Sequence, residues 1–202
     1  MKKTLLFLLL LSTAYFSQAQ TEQGKFVIDA KSNFGFINNS PNQNIKNEFN
    51  INLQGGYALL DNLFIGPSLD YESLNISNDE LRISGFLYGA FAQYFFNFKE
   101  DQKVLPYISI NYFFGENRID NLIIASPDSS GISISDSFSV NKLSLNAGIS
   151  IFLIPKKLTL DLNLNYTKRD FLLTDDFIVT DFGSDPDDIK IYQFNLGFSL
   201  FL

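Results

Sequence analysis

From Phe26 to Leu202 the chain reads as eight segments in which alternate residues are apolar and those between them are small or polar. A period of two marks a strand with two unlike faces, because successive side chains leave a strand on opposite sides. In the first segment Phe26, Ile28, Ala30, Ser32, Phe34 and Phe36 alternate with Val27, Asp29, Lys31, Asn33 and Gly35. In the second, Phe49, Ile51, Leu53, Gly55, Tyr57 and Leu59 alternate with Asn50, Asn52, Gln54, Gly56 and Ala58. The other apolar faces run over alternate positions from Leu63 to Tyr71, Phe86 to Phe96, Val104 to Phe114, Leu143 to Leu153, Leu158 to Tyr166 and Tyr192 to Leu202. None of them carries Asp, Glu, Lys, Arg, Asn or Gln.

The links between segments alternate in length. Short turns fall at Leu60-Asp61-Asn62, at 97–103 and at Pro155-Lys156-Lys157, and long links at 37–47, 73–80, 115–138 and 170–188. Eight strands joined in this way predict an all-β, antiparallel up-and-down barrel. The location of its greasy face follows from the charge pattern. A soluble barrel covers its outside with charge, whereas here the second face is mostly Asn, Gln, Ser, Gly and Asp, residues suited to a narrow hydrogen-bonded interior. An uncharged face is what lipid demands, since a charge near the bilayer midplane costs about 2–4 kcal/mol. The pattern therefore predicts a transmembrane barrel, with short turns in the periplasm, long loops outside and both chain ends periplasmic. Tyr71, Tyr112, Tyr166 and Tyr192 then fall on the lipid face near the outer rim, as an interfacial girdle would.

The N-terminus changes the picture of what folds. Residues 1–19 combine basic Lys2 and Lys3, an apolar run from Leu5 to Leu11, and Ser17-Gln18-Ala19 before a cut at Gln20, and so read as a cleaved signal peptide ahead of a barrel domain at 20–202. That apolar run is far shorter than the ~20 residues of a spanning helix. Loss of Lys2 and Lys3 takes the net charge from −7 to −9, which argues against nucleic acid as a partner. With no Cys and no His, disulfides, thiolate metal sites, a lipid-modified Cys and the commonest general base are all excluded. Ser109, Ser144 and Ser150 lack the partner that would make them nucleophiles. No catalytic residue, cofactor or dedicated metal site is expected.

Candidate chemistry is confined to the interior and the outer loops. Asp29, Lys31, Asp70 and Asp161 project inward, where they form a polar network with the Asn rows, as structural glue or as determinants of ion preference. Nearer the short turns, Val27, Ala58, Phe64, Phe95, Leu105, Phe152 and Phe201 predict an apolar plug. An eight-stranded interior is only wide enough for side chains to fill, so no open channel is expected. Within 115–138, Ile119, Leu122, Ile123 and Ile124 precede Pro127-Asp128-Ser129-Ser130-Gly131, and Ile132 and Ile134 follow it, which predicts a projecting hairpin whose edges could recruit a protein partner. Phe138 and Val140 are out of step with Leu143, which predicts a bulge near Asn141-Lys142. The last loop holds Asp175, Asp176, Asp181, Asp185, Asp187 and Asp188. These are oxygen ligands for Ca²⁺ or Mg²⁺, although their spacing is not that of an EF-hand and solvation explains most acidic runs.

The stretch Gly-Tyr-Ala-Leu-Leu-Asp-Asn-Leu-Phe-Ile-Gly at 56–66, the terminal strand Phe194-Asn195-Leu196-Gly197-Phe198-Ser199-Leu200-Phe201-Leu202, the signal peptide and the eight alternating strands together resemble the porin-like outer membrane protein β-barrel domain family. The terminal strand departs from the commonest assembly signal in ending on Leu202, with Phe201 before it. The resemblance covers nearly all of residues 20–202. It implies an outer-membrane location, contact with lipid and lipopolysaccharide, and delivery by the outer-membrane assembly machinery. Members of the family include structural barrels, adhesins and small-solute channels. The sequence accordingly points to a non-enzymatic barrel with a structural or adhesin-like role. A narrow channel for small or apolar solutes is the alternative, and a secreted soluble carrier is a third.

Overall fold

A computed structural model describes residues 21–33, 45–76, 81–98, 102–124, 132–172 and 189–202. The described residues form eight strands: β1 (Phe26–Asn33), β2 (Ile45–Leu60), β3 (Leu63–Ile76), β4 (Leu81–Phe95), β5 (Val104–Ile124), β6 (Ile132–Ile154), β7 (Leu158–Leu172) and β8 (Ile189–Phe201). Each pairs antiparallel with its neighbours in sequence, and β1 closes on β8 with Val27 opposite Phe201 and Asn33 opposite Asn195. Closure leaves no edge, so the wall satisfies its own backbone without water. No helix among the described residues is long and apolar enough to cross a membrane; the strands do the crossing.

Among the described residues the apolar faces point outward. Phe86 and Leu164 are 61% and 62% exposed, as are many other Phe, Leu, Ile and Tyr side chains, while Asn111, Asn163, Gln93 and Asp161 are buried. This is a globular protein's distribution turned inside out, and it makes hydrocarbon the only solvent that suits the wall. Aromatic pairs tile its outer part, with ring centroids 4.9 Å apart for Tyr71–Phe86, 4.4 Å for Tyr88–Phe114 and 5.1 Å for Tyr166–Tyr192.

The short turns lie where the alternation breaks, and two of them use a left-handed residue, Asn62 (φ 69°) and Lys156 (φ 60°). Asn tolerates that region unusually well. The segment ahead of β1 folds against the first turn: Asn62 N–H donates to Thr21 O at 2.7 Å, and Gln23 N–H to Asp61 Oδ1 at 2.8 Å.

At the other end the strands run further than the alternation indicated. Most of the link at 115–138 is strand, since β5 and β6 stay paired out to Ile124 opposite Ile132, and β2, β3 and β7 likewise extend into the links at 37–47, 73–80 and 170–188. The bulge expected near Asn141-Lys142 is absent. Phe114↔Asn141 and Phe113↔Lys142 are in uninterrupted register, and the irregularity lies between Ile119 and Leu122. Val140 simply continues the inward row, because the interior is apolar at that height.

Curvature explains several inward glycines. A Cβ on Gly89 would lie 1.9 Å from the carbonyl oxygen of Tyr112 on the neighbouring strand. The tight coiling of a small barrel presses adjacent backbones together on the concave side, and only a residue without a side chain fits. Gly89→Ala must push β4 and β5 apart. It is expected to cost about 1–3 kcal/mol, the range for forced overpacking, read as a lower urea midpoint for folding into lipid vesicles.

Candidate functional site

The interior is the natural place to look for function, and it is layered. Next to the short turns, Val27, Ala58, Phe64, Phe91, Phe95, Leu105, Tyr107 and Phe201 form one buried cluster, with Phe152 packed against it. Its aromatic rings meet edge-on or tilted at 5.6–5.9 Å: Phe64–Phe95, Phe64–Phe201, Phe95–Phe201 and Phe152–Phe201. Every position expected in the plug lies in it, and Phe91 and Tyr107 join it because the next inward residues of β4 and β5 are aromatic too.

Above the plug the inward rows turn polar. Lys31 is ion-paired with Asp29, donates to Gln93 Oε1 at 3.2 Å and lies 5.0 Å over the Tyr107 ring. Asp161 accepts from the hydroxyls of Thr159 and Ser199, the former at 2.9 Å. Amides then tie strands together across the interior, with Gln54 donating to Asn111 at 2.7 Å, Asn165 to Asn146 at 2.7 Å and Asn146 to Ser109 at 3.0 Å. These long-range bonds give the Asn-rich face partners that water would otherwise supply.

A second ion cluster sits nearer the outer end. Lys142 reaches Asp70 at 2.6 Å and Glu72 at 3.0 Å, Arg169 donates to Glu72 at 3.0 Å, and Asn117 donates to the other Glu72 oxygen at 2.7 Å. All four ionic side chains are almost wholly buried. Of the four interior residues singled out in the sequence, Asp29 and Lys31 come together, Asp161 bonds hydroxyls, and Asp70 belongs to this separate cluster. Glu72, Lys142 and Arg169 escaped sequence reasoning, although each continues the inward parity of its strand, as Asp70-x-Glu72, Lys142-x-Ser144 and Thr167-x-Arg169.

The packing leaves little space. A cavity of about 20 Å³ remains among Lys31, Asn52, Asp70, Asn111, Lys142 and Asn165, room for roughly one water molecule. Leu74, Ile83, Leu87, Val140 and Ile191 are buried further out. Among the described residues no cluster of carboxylates has the makings of a metal site. Asp175, Asp176, Asp181, Asp185, Asp187 and Asp188 lie outside the described residues, as do residues 1–19, where the sequence predicts a signal peptide.

A family model described as outer membrane protein beta-barrel domain matches residues 4–200. Among solved structures, Neisserial surface protein A shares 15% identity over 87% of this chain and 95% of its own, with a TM-score of 0.53. The N-terminal β-barrel domain of Pseudomonas aeruginosa OprF shares 16% identity over 89% and 98%, with a TM-score of 0.48. The attachment invasion locus protein Ail of Yersinia pestis shares 16% over 89% and 99%, with a TM-score of 0.49. At such identities the likeness is one of fold. No curated relative matches the chain.

Proposed function

Because this chain belongs to the outer membrane protein beta-barrel domain family, and so resides in the outer membrane with its termini on the periplasmic side, we propose that it works as a sealed, non-enzymatic barrel acting in envelope structure and surface contact. The observation that carries this reading is the filled interior. An aromatic plug closes one end, two ion clusters cross-link the middle, and the cavity between them among the described residues is about 20 Å³. A sealed interior leaves the outer ends of the strands to meet a partner.

The β5–β6 hairpin is the strongest feature there. Pairing with β4 ends at Arg82↔Asp120 and pairing with β7 begins at Ser139↔Leu172, yet β5 and β6 stay paired to Ile124↔Ile132. This ribbon runs past the last described pairings with β4 and β7, and in this reading it is where an added strand is accepted. In this reading Asp29, Lys31, Asp70 and Asp161 are structural, residues 1–19 are the removed signal peptide, and the acidic residues at 175–188 are a solvated loop.

Planar-bilayer recording tests the proposal. The purified barrel is expected to give no steady single-channel current at any moderate voltage. Discrete, long-lived openings would favour the narrow-channel alternative.

A further inference from the structure

The cavity in the middle of the interior is bordered by polar groups whose hydrogen bonds the protein does not complete. Gln54 uses both of its amide hydrogens on neighbours, donating to Asn52 Oδ1 at 2.6 Å and to Asn111 Oδ1 at 2.7 Å. Its own buried Oε1 receives no donor, and neither does Oδ1 of Asn195. Both side chains are more than nine-tenths buried, at 4% and 7% exposure, and both border the cavity. Lys31 borders it as well. Of the three donors on that ammonium, one goes to Gln93 Oε1 at 3.2 Å and one faces Asp29, which leaves a third. Two acceptors and one donor thus surround a space of about 20 Å³ with no partner among the described residues.

Size and polarity together decide what fits there. A buried carbonyl oxygen left without a donor is costly, so the occupant has to donate twice and accept once. A sodium or potassium ion would suit the two oxygens but would stand among the ammoniums of Lys31 and Lys142, both on the cavity wall, and like charges repel strongly where the dielectric is low. Chloride would suit the ammoniums but would oppose the two amide oxygens and the carboxylate of Asp70, which also borders the space. Water carries two donors and two acceptors and occupies a cavity of this size. Buried waters make about three hydrogen bonds, the number on offer here.

We propose that the cavity is a binding site for one long-lived water molecule, which donates to Gln54 Oε1 and Asn195 Oδ1 and accepts from Lys31 Nζ. Its partners lie on β2, β8 and β1, three consecutive strands around the closure of the barrel. Asp29 of β1 stands opposite Gln54, and Asn33 of β1 opposite Asn195. The water therefore ties the first and last strands together from inside, across the seam that the backbone ladder closes in the wall. The site rests on the filled interior of the proposed function and is independent of any surface partner.

A crystal structure of the full barrel that resolves ordered water, with parallel crystals soaked in rubidium and in bromide, tests the assignment. The expected result is a single water peak within hydrogen-bond distance of all three atoms, and no anomalous signal from either ion in the cavity. Rubidium or bromide there, no peak at all, or a peak out of reach of Gln54 or Asn195 would overturn the site and leave the interior sealed. A file of waters running from the cavity to both mouths would overturn the sealed interior as well. In solution, oxygen-17 relaxation dispersion counts long-lived waters. Asn195→Leu, which removes one acceptor and fills part of the space, should lose one of them, with heat-modifiable migration reporting that the variant forms the barrel. A folded variant that keeps the full number would also overturn the site, and if the variant does not fold the crystallographic result on the native chain decides alone.

Discussion

Glu72→Gln is expected to lower the stability of the folded barrel by about 3–5 kcal/mol, the cost of breaking a buried ion pair by removing one partner. Glu72 is fully buried and accepts from Arg169, Lys142 and Asn117. A neutral amide there leaves the buried cations of Lys142 and Arg169 with one carboxylate fewer. The desolvation of those cations then loses the carboxylate that both of them contact. Removing the whole cluster should behave differently. In D70N/E72L/K142M/R169M none of the four charges of the cluster remains, and replacement of buried ionic groups by neutral side chains of similar volume is often neutral or stabilising. Urea midpoints for folding into lipid vesicles test both, and the expected order has the single variant well below the native chain and the quadruple variant close to it. A single variant as stable as the native barrel would mean that water reaches Glu72 and that the lumen is open.

The second large effect is on the other face. Leu162 lies near the middle of β7's outward row, flanked by Leu160 and Leu164 and opposite Leu196. Leu162→Arg should cost about 2–4 kcal/mol in the same vesicle assay, whereas Ser139→Arg, outward but beyond the girdle, should cost about 0–1 kcal/mol, because the penalty depends on depth in the bilayer. Equal effects at the two positions would remove the reason for placing hydrocarbon against β7.

Which parts were legible in the sequence follows from what the alternation measures. The contrast between faces is sharp only where one face meets lipid. Within that zone the strand faces, the short turns and the plug from Val27 to Phe201 could be read residue by residue, because Leu or Phe against Asn is unmistakable. At the outer rim the outward residues become Ser73, Asn141, Lys168 and Lys190, and the contrast fades although the strands continue. Segments read from the alternation therefore stop at Tyr71, Leu143 and Tyr166, one to three residues short of Glu72, Lys142 and Arg169. The supposed bulge at Asn141-Lys142 had the same origin, since a polar residue outside and Val140 inside look like a slipped register when the wall is assumed to be greasy at every height. Following strand parity past the lipid zone would have found the cluster. The partnering within it was not legible, because Asp70 meets Lys142 across 72 residues of chain, and only the barrel's closure and stagger bring them together.

The central claim is that lipid surrounds the row Leu160, Leu162 and Leu164. The chain has no Cys, so single cysteines introduced at these positions can each carry one spin label, with Lys156 in the exposed turn as the reference. Power saturation in vesicles should show all three labels relaxed by oxygen, most strongly at Leu162, and sheltered from a water-soluble nickel chelate that reaches position 156. Labels at 160, 162 and 164 relaxed by the nickel chelate as strongly as the one at 156 would contradict the account.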